Sequence, residues 1–150
     1  MSALAIRAAH LAFAHGDAVP LLEDVSFHLS PGWWGLVGDN GAGKTTLLRL
    51  FAGRLRPGAG SLAVEPDWAR IALCEQSVAE VPEDAGGLAG AGDGDAIRLR
   101  ARLRLEPDDL ARWDTLSPGE RKRWQIGAAL FTAPEILLCD EPTNHLDAGG

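Results

Sequence analysis

The sequence predicts an α/β layered fold, and three observations carry that reading. Short apolar segments with strand character alternate with segments of helical spacing along the chain. A glycine-containing stretch, GDNGAGKTT at 38–46, stands between an apolar run and a helical pattern. Near the other end, EILLCD at 135–140 is apolar without alternation and runs into two acids, Asp140 and Glu141. A strand of a parallel sheet buried on both faces has that composition. Ligands of open α/β sheets bind at the carboxyl ends of such strands, so the acids stand at a candidate site.

The elements follow in order. Residues Leu4 to Phe13 contain apolar alternation and predict a strand, and GDAVP at 16–20 is a turn. Val25, Phe27 and Leu29 alternate with polar residues and predict a second, half-buried strand. After the turn SPG at 30–32, WWGLVG at 33–38 is a short apolar run, expected as the strand that leads into the glycine stretch. KTTLLRLFAG has helical spacing and ends at Gly53. RPGAG is a turn, Ser61 to Val64 a short strand, and RIALCEQ at 70–76 a buried strand with a polar exit. Residues 85–96, AGGLAGAGDGDA, have no periodicity and are expected to be a flexible connection. IRLRARLRL at 97–105 alternates and by itself fits a strand; with its neighbours and the following EPDDLARW, a basic amphipathic helix is the better reading. GERKRWQIGAALFTA at 119–133 has helical spacing.

Composition narrows the function classes. The chain has 150 residues, of which 46% are apolar and 23% charged, enough for one domain with a real core. Its 14 basic and 21 acidic residues give a formal charge of -7, which argues against a general nucleic-acid-binding surface. A local basic set remains: Arg98, Arg100, Arg102 and Arg104, with Arg121, Lys122 and Arg123. These residues could face RNA, although a solvated helical face is the commoner fate of such a run. No apolar run approaches membrane-spanning length, so direct membrane insertion is not expected. The start MSALAIRAAH lacks the pattern of a secretory signal peptide. Cys74 and Cys139 each lie in an apolar run without a Cys or His at ligand spacing, and are expected as reduced core residues in a cytoplasmic protein.

GDNGAGKTT matches the pattern G-x-x-x-x-G-K-[ST] through Gly38, Gly43, Lys44 and Thr45. Glycines let the backbone curl so that N–H groups cradle phosphate oxygens, and the helix that follows adds positive potential. The loop residues Gly38, Asp39, Asn40, Gly41, Ala42, Gly43, Lys44, Thr45 and Thr46 are therefore candidate nucleotide contacts, with Lys44 on the β- and γ-phosphates and the Thr45 hydroxyl on Mg²⁺. Asp140 can hold Mg²⁺ through water, and Glu141 is placed to orient or deprotonate the attacking water. Gln76 follows a strand exit and can coordinate Mg²⁺ or that water. LSPGE at 116–120 contains a capping box, Ser117 with Glu120, and Pro118 at the first helical position. A helix N-terminus so defined is a ready anion site, although an isolated capping box is ordinarily just a cap.

In this order the motifs resemble those of an ATP-binding cassette (ABC) ATPase domain. GDNGAGKTT resembles the Walker A motif, Gln76 the Q-loop position, LSPGE the family signature, ILLCDE Walker B, and NHLD at 144–147 the D-loop. The resemblance implies a P-loop NTPase fold with a mixed sheet core, an N-terminal antiparallel β part and a small helical subdomain. Residues 1–76 and 134–150 would form the core and about 77–133 the helical part. It implies ATP and Mg²⁺ as ligands, and two cassettes closing head-to-tail around two ATPs. Ser117, Pro118, Gly119 and Glu120 would then meet the ATP held by the partner cassette, and Asp147 would communicate across the interface. DEPTNHLD carries Asn144 and His145 where transporter ATPases typically have Ser-Ala, which is similar to the ABC-F group, soluble two-cassette proteins acting on ribosomes or in antibiotic resistance.

Three departures from the family pattern qualify the resemblance. Pro118 replaces a signature glycine and removes one backbone donor. PGWWGLVG is one residue short, with Trp33 and Trp34 expected to pack under the loop and an interaction surface as the alternative. No switch histidine follows the D-loop, so the sequence reads as the N-terminal part of a longer protein, residues 1–150 being an incomplete cassette. Adenine stacking falls to His15, with Phe13 beside it, where an ordinary strand residue is equally compatible. Other functions stay open: the ATP-hydrolysing subunit of a membrane transporter, or a truncated cassette that binds nucleotide without turnover.

Overall fold

A computed structural model describes residues 4–16 and 19–142. The chain divides into two compact units, residues 1–71 and 72–150, each with its own packing.

The first unit is a three-stranded antiparallel sheet in the order β2-β1-β3, with β1 at Ala5–Phe13, β2 at Leu22–Leu29 and β3 at Ala59–Glu65, and one helix, α1, at Lys44–Phe51. The alternation read in the sequence is the burial pattern of β1, where Ile6, Ala8, Leu11 and Phe13 turn inward. The β1 register shifts between Ala8 and Leu11 against β2, and His10 there takes a left-handed φ of 51°. Gly60 lies beside this bulge, where a Cβ would fall 2.1 Å from the His10 carbonyl oxygen, so only glycine fits. α1 packs against β3 and buries Leu47, Leu50 and Phe51, and Phe51 meets Phe27 edge-on at 5.5 Å.

One expected element of this unit is not formed. Residues 33–39 pair with no strand among the described residues and are exposed throughout. A strand is held by cross-strand hydrogen bonds, and without a partner an apolar run has nothing to fix it. Trp33 and Trp34 therefore do not pack under the loop. They are 102% and 61% exposed, and the Trp34 indole donates to the Ser30 carbonyl at 2.8 Å.

The second unit holds a two-stranded sheet, β4 at Ile71–Cys74 beside β5 at Ile136–Cys139, and a helical cluster. In β5 only Leu138 is buried and its neighbours are half-buried, so β5 is less enclosed than its composition predicts. The cluster comprises α2 (Ala85–Gly90), α3 (Gly94–Leu103), a 3-10 stretch at Pro107–Thr115 and α4 (Pro118–Phe131). Residues 85–96 are thus not a flexible connection. Ala85 and Leu88 are fully buried in a core with Ala96, Leu105, Trp113, Leu116, Trp124 and Ala128. The glycines of α2 disguise it: a Cβ on Gly87 would meet the Phe131 ring at 3.2 Å, so the small residue permits close helix packing. Asp93 caps α3 by accepting from the Asp95 and Ala96 N–H groups, and Arg100 donates to the Leu88 and Ala91 carbonyls at the end of α2. IRLRARLRL accordingly falls largely within helix α3, and one member of the basic run is spent on structure.

Asp109 is the buried acid of this cluster, 5% exposed. Burial works to raise its pKa, but hydrogen bonds from Arg112, the Trp124 indole and the Glu106 N–H outweigh it and hold the carboxyl below its ordinary value. Because the folded pKa is depressed, this stabilisation is complete above the unfolded pKa of 3.8 and is lost as pH falls through the folded value. Asp109→Asn should lower the melting temperature at neutral pH, and the gap to the unsubstituted chain should narrow only below about pH 4. Melting curves from pH 7 down to pH 3 check this, and a gap already closing near pH 6 would contradict it.

Candidate nucleotide site

The phosphate loop belongs to the first unit. Gly41 and Gly43 take φ of +86° and +87°, left-handed values open to glycine, and Gly43 is the N-cap of α1. The Ala42 N–H donates to the Asp39 carbonyl at 3.1 Å and the Leu47 N–H to the Gly43 carbonyl at 2.8 Å, which closes the curl onto the helix. Lys44 Nζ donates to the carbonyls of Gly38 and Asp39 at 2.7 and 2.8 Å, so the ammonium lies across the mouth of its own loop. Gly38 to Ala42 are exposed, Gly43 to Thr45 half-buried, and Thr46 is buried under the helix start. His15 is exposed and meets Phe13 edge-on at 4.9 Å, whereas Phe13 itself is buried in the sheet. His15 is the ring of the two that remains open to a ligand.

The polar strand exits belong to the second unit. β4 ends at Cys74 and β5 at Cys139, and the Asp140 N–H donates to the Cys74 carbonyl at 2.9 Å. That pairing sets the residues after the two strands side by side. Gln76 Nε2 donates to Glu141 Oε2 at 2.8 Å, so two residues 65 apart in sequence meet as expected neighbours. Asp140 is 4% exposed, while Glu141 is half-buried and carries a left-handed φ of 46° just before Pro142. A non-glycine residue held there is strained, and strain of this kind concentrates at functional sites.

α4 begins as the sequence predicts. Ser117 Oγ accepts from the Glu120 N–H at 3.3 Å, and Glu120 Oε2 accepts from the Ser117 N–H at 2.7 Å. The Ser117 contacts hold the Glu120 carboxyl below its usual value. Ser117 and Pro118 are exposed, Gly119 is buried and Glu120 half-buried.

Lys122 was grouped with a basic run that could face RNA, yet it is 1% exposed. Its ammonium donates to the Glu75 carbonyl and, at 3.2 Å, to the Asp140 carbonyl. Arg98 pairs with Asp95, and Arg121 lies 5.7 Å over the Trp113 ring, so the run does not form one free basic face. No sequence signal separates Lys122 from its neighbours, since only the packing of α4 turns it inward.

Both cysteines are free. The hydrogen bond to Cys139 and burial push the Cys74 thiol up, while the bond from Cys74, helped by the charge of Lys122, lowers Cys139 to about 7.

The residues present fit ATP·Mg²⁺ in their chemistry. The loop offers N–H groups and one ammonium for phosphate. In the first unit the Thr45 hydroxyl, and in the second the Gln76 amide oxygen and the Asp140 carboxylate, are each hard oxygen donors of the kind Mg²⁺ takes. Among the described residues, no group of three or more His, Cys, Asp or Glu side chains is placed to hold a metal by itself. The D-loop residues Asn144 to Asp147 lie outside the described residues. No helix of the described residues is long and apolar enough to cross a membrane.

Residues 22–144 match the family model described as ABC transporter. Over 135 residues the chain is 39% identical to the ATP-binding protein Uup of Caulobacter vibrioides, covering 87% of this chain and 22% of that protein. It is 38% identical over 151 residues to the taurine import ATP-binding protein TauB of Pseudomonas savastanoi pv. phaseolicola, covering 89% and 58%. The chain thus spans less than two thirds of the length of either relative. Among solved structures it superposes on a bacterial Atm1-family ABC exporter with ATP bound, with a TM-score of 0.78, 25% identity, and coverage of 98% of this chain and 30% of that one. With the phosphate loop, the paired strand exits and the capped α4 in the family's order, the chain belongs to the ABC transporter family, as an ATP-binding cassette with that family's P-loop α/β fold.

Proposed function

We propose that the chain binds ATP with Mg²⁺ and hydrolyses it, in partnership with a second cassette. The observation that supports this most is the contact between Gln76 and Glu141, which joins the two polar strand exits. Lys44 and the loop N–H groups would hold the β- and γ-phosphates, and His15 would stack on adenine. Thr45, Gln76 and Asp140 would hold Mg²⁺, which when bound neutralises charge developing on the phosphates. The Glu141 carboxylate would accept a proton from the attacking water, with the Gln76 N–H bond orienting the carboxylate. Ser117, Pro118, Gly119 and Glu120 would face the nucleotide of the partner cassette. We assign residues 1–76 and 134–150 to the cassette core and 77–133 to its helical part.

For the output of this cycle we favour cytoplasmic action on the ribosome, on the strength of DEPTNHLD at 140–147. A second reading, the ATP-hydrolysing subunit of a membrane transporter, is favoured by the likeness to an import ATP-binding protein and to an exporter. Co-sedimentation separates the two. The ribosomal reading expects the chain, within its full-length protein, to pellet with ribosomes when ATP hydrolysis is blocked. Absence from ribosomes together with recovery in the membrane fraction contradicts that reading and supports the transporter one.

A further inference from the structure

Burying an ammonium is costly, and Lys122 is buried with its charge turned toward two backbone carbonyls. Those carbonyls are not arbitrary. Glu75 immediately precedes Gln76 and Asp140 immediately precedes Glu141, the two residues whose side chains meet at 2.8 Å. The lysine itself sits in the second turn of α4, whose first turn carries the Ser117–Glu120 cap. One side chain therefore joins the β4 exit, the β5 exit and the signature helix.

We propose that Lys122 is a positioning residue for hydrolysis: by tying the Glu75 and Asp140 carbonyls to α4, it sets the distance at which Gln76 and Glu141 meet. The proposal rests on the hydrolytic reading above, and it adds a link from the signature helix to the water-activating carboxylate. A neutral side chain of the same length would fill the space but release both carbonyls. The strand exits would keep the Asp140 N–H to Cys74 carbonyl bond but lose their tie to α4, and the Gln76–Glu141 contact would loosen. Nucleotide binding at the phosphate loop should be spared, because the hydrogen bonds of Lys122 go to the Glu75 and Asp140 carbonyls.

The test uses Lys122→Met in the full chain. The expected result is a kcat for Mg²⁺-ATP hydrolysis lowered about 10- to 100-fold with KM for ATP within about threefold, the pattern of an interaction that matters beyond substrate binding. Combining it with Gln76→Ala should lower kcat less than the product of the two single effects, because the amide is already displaced. The nuclear magnetic resonance signal of the Gln76 side-chain amide, recorded without nucleotide, should shift or broaden in Lys122→Met. An unchanged amide signal, an unchanged kcat, or fully multiplicative effects would overturn the proposal. If the methionine variant fails to melt cooperatively, Lys122→Leu, which likewise has no N–H donor, replaces it under the same criteria; failure of both to fold would assign Lys122 to stability alone and overturn positioning. A lack of turnover in the unsubstituted cassette would count against the hydrolytic reading, and the amide signal would still decide the role of the lysine.

Discussion

Replacing Glu141 by glutamine should stop ATP hydrolysis while leaving ATP bound. Glutamine keeps the size of the side chain and can still accept a hydrogen bond from Gln76, whose Nε2 now donates to Glu141 Oε2 at 2.8 Å. It loses the basic carboxylate. A positioned general base contributes on the order of 10²- to 10⁴-fold to rate, so steady-state turnover should fall by at least about 100-fold. Nucleotide affinity should hold or rise, because the phosphate contacts proposed above fall to the 38–46 loop, which does not include Glu141. Measured turnover and nucleotide retained after gel filtration check the two halves separately. Turnover near that of the unsubstituted cassette would remove Glu141 from the role of base. The geometry that supports the assignment is its contact with Gln76 at the paired strand exits.

Elements with a strong local signal were legible in the sequence. The alternation of β1 and β2, the capping box of α4 and the glycine loop each report on neighbours a few residues away, and each stands where the pattern put it. The failures share a physical cause, which is dependence on distant partners. Residues 33–39 have strand composition, yet composition does not supply a pairing partner. Residues 85–96 have loop composition, yet Leu88 and Ala85 find a core made by α4 and the 3-10 stretch, and tertiary burial overrides weak propensity there. In the 3-10 stretch Pro107–Thr115, the Asp109 carboxylate accepts from the Glu106 N–H and the Trp124 indole together, a network with no periodic signature.

The site divides along the same line. The glycines of the phosphate loop announce themselves because few residue types tolerate φ near +87°. Gln76 and Glu141 could be placed at strand ends from sequence, but their contact depends on the register of β4 beside β5. Lys122 was illegible: in a run of Arg121, Lys122 and Arg123, only the facing of α4 decides which cation is buried.

Lys44→Ala is expected to have the largest effect on binding. The Lys44 ammonium bridges the Gly38 and Asp39 carbonyls, so the substitution removes two braces of the loop. It also removes the charge that would meet the β- and γ-phosphates. Hydrogen bonds to charged groups are each worth about 1.5–3 kcal/mol, and two of them correspond to an affinity loss of at least about 100-fold. Lys44 is half-buried at the surface end of α1 and takes no part in the sheet core, so the fold should survive the change. Calorimetric titration of ATP with Mg²⁺ into the unsubstituted chain and into Lys44→Ala, with matched melting curves, is the most direct measurement of nucleotide binding through this loop. Saturable binding by the first and none detectable by the folded second is the predicted result; equal affinity in both would contradict it.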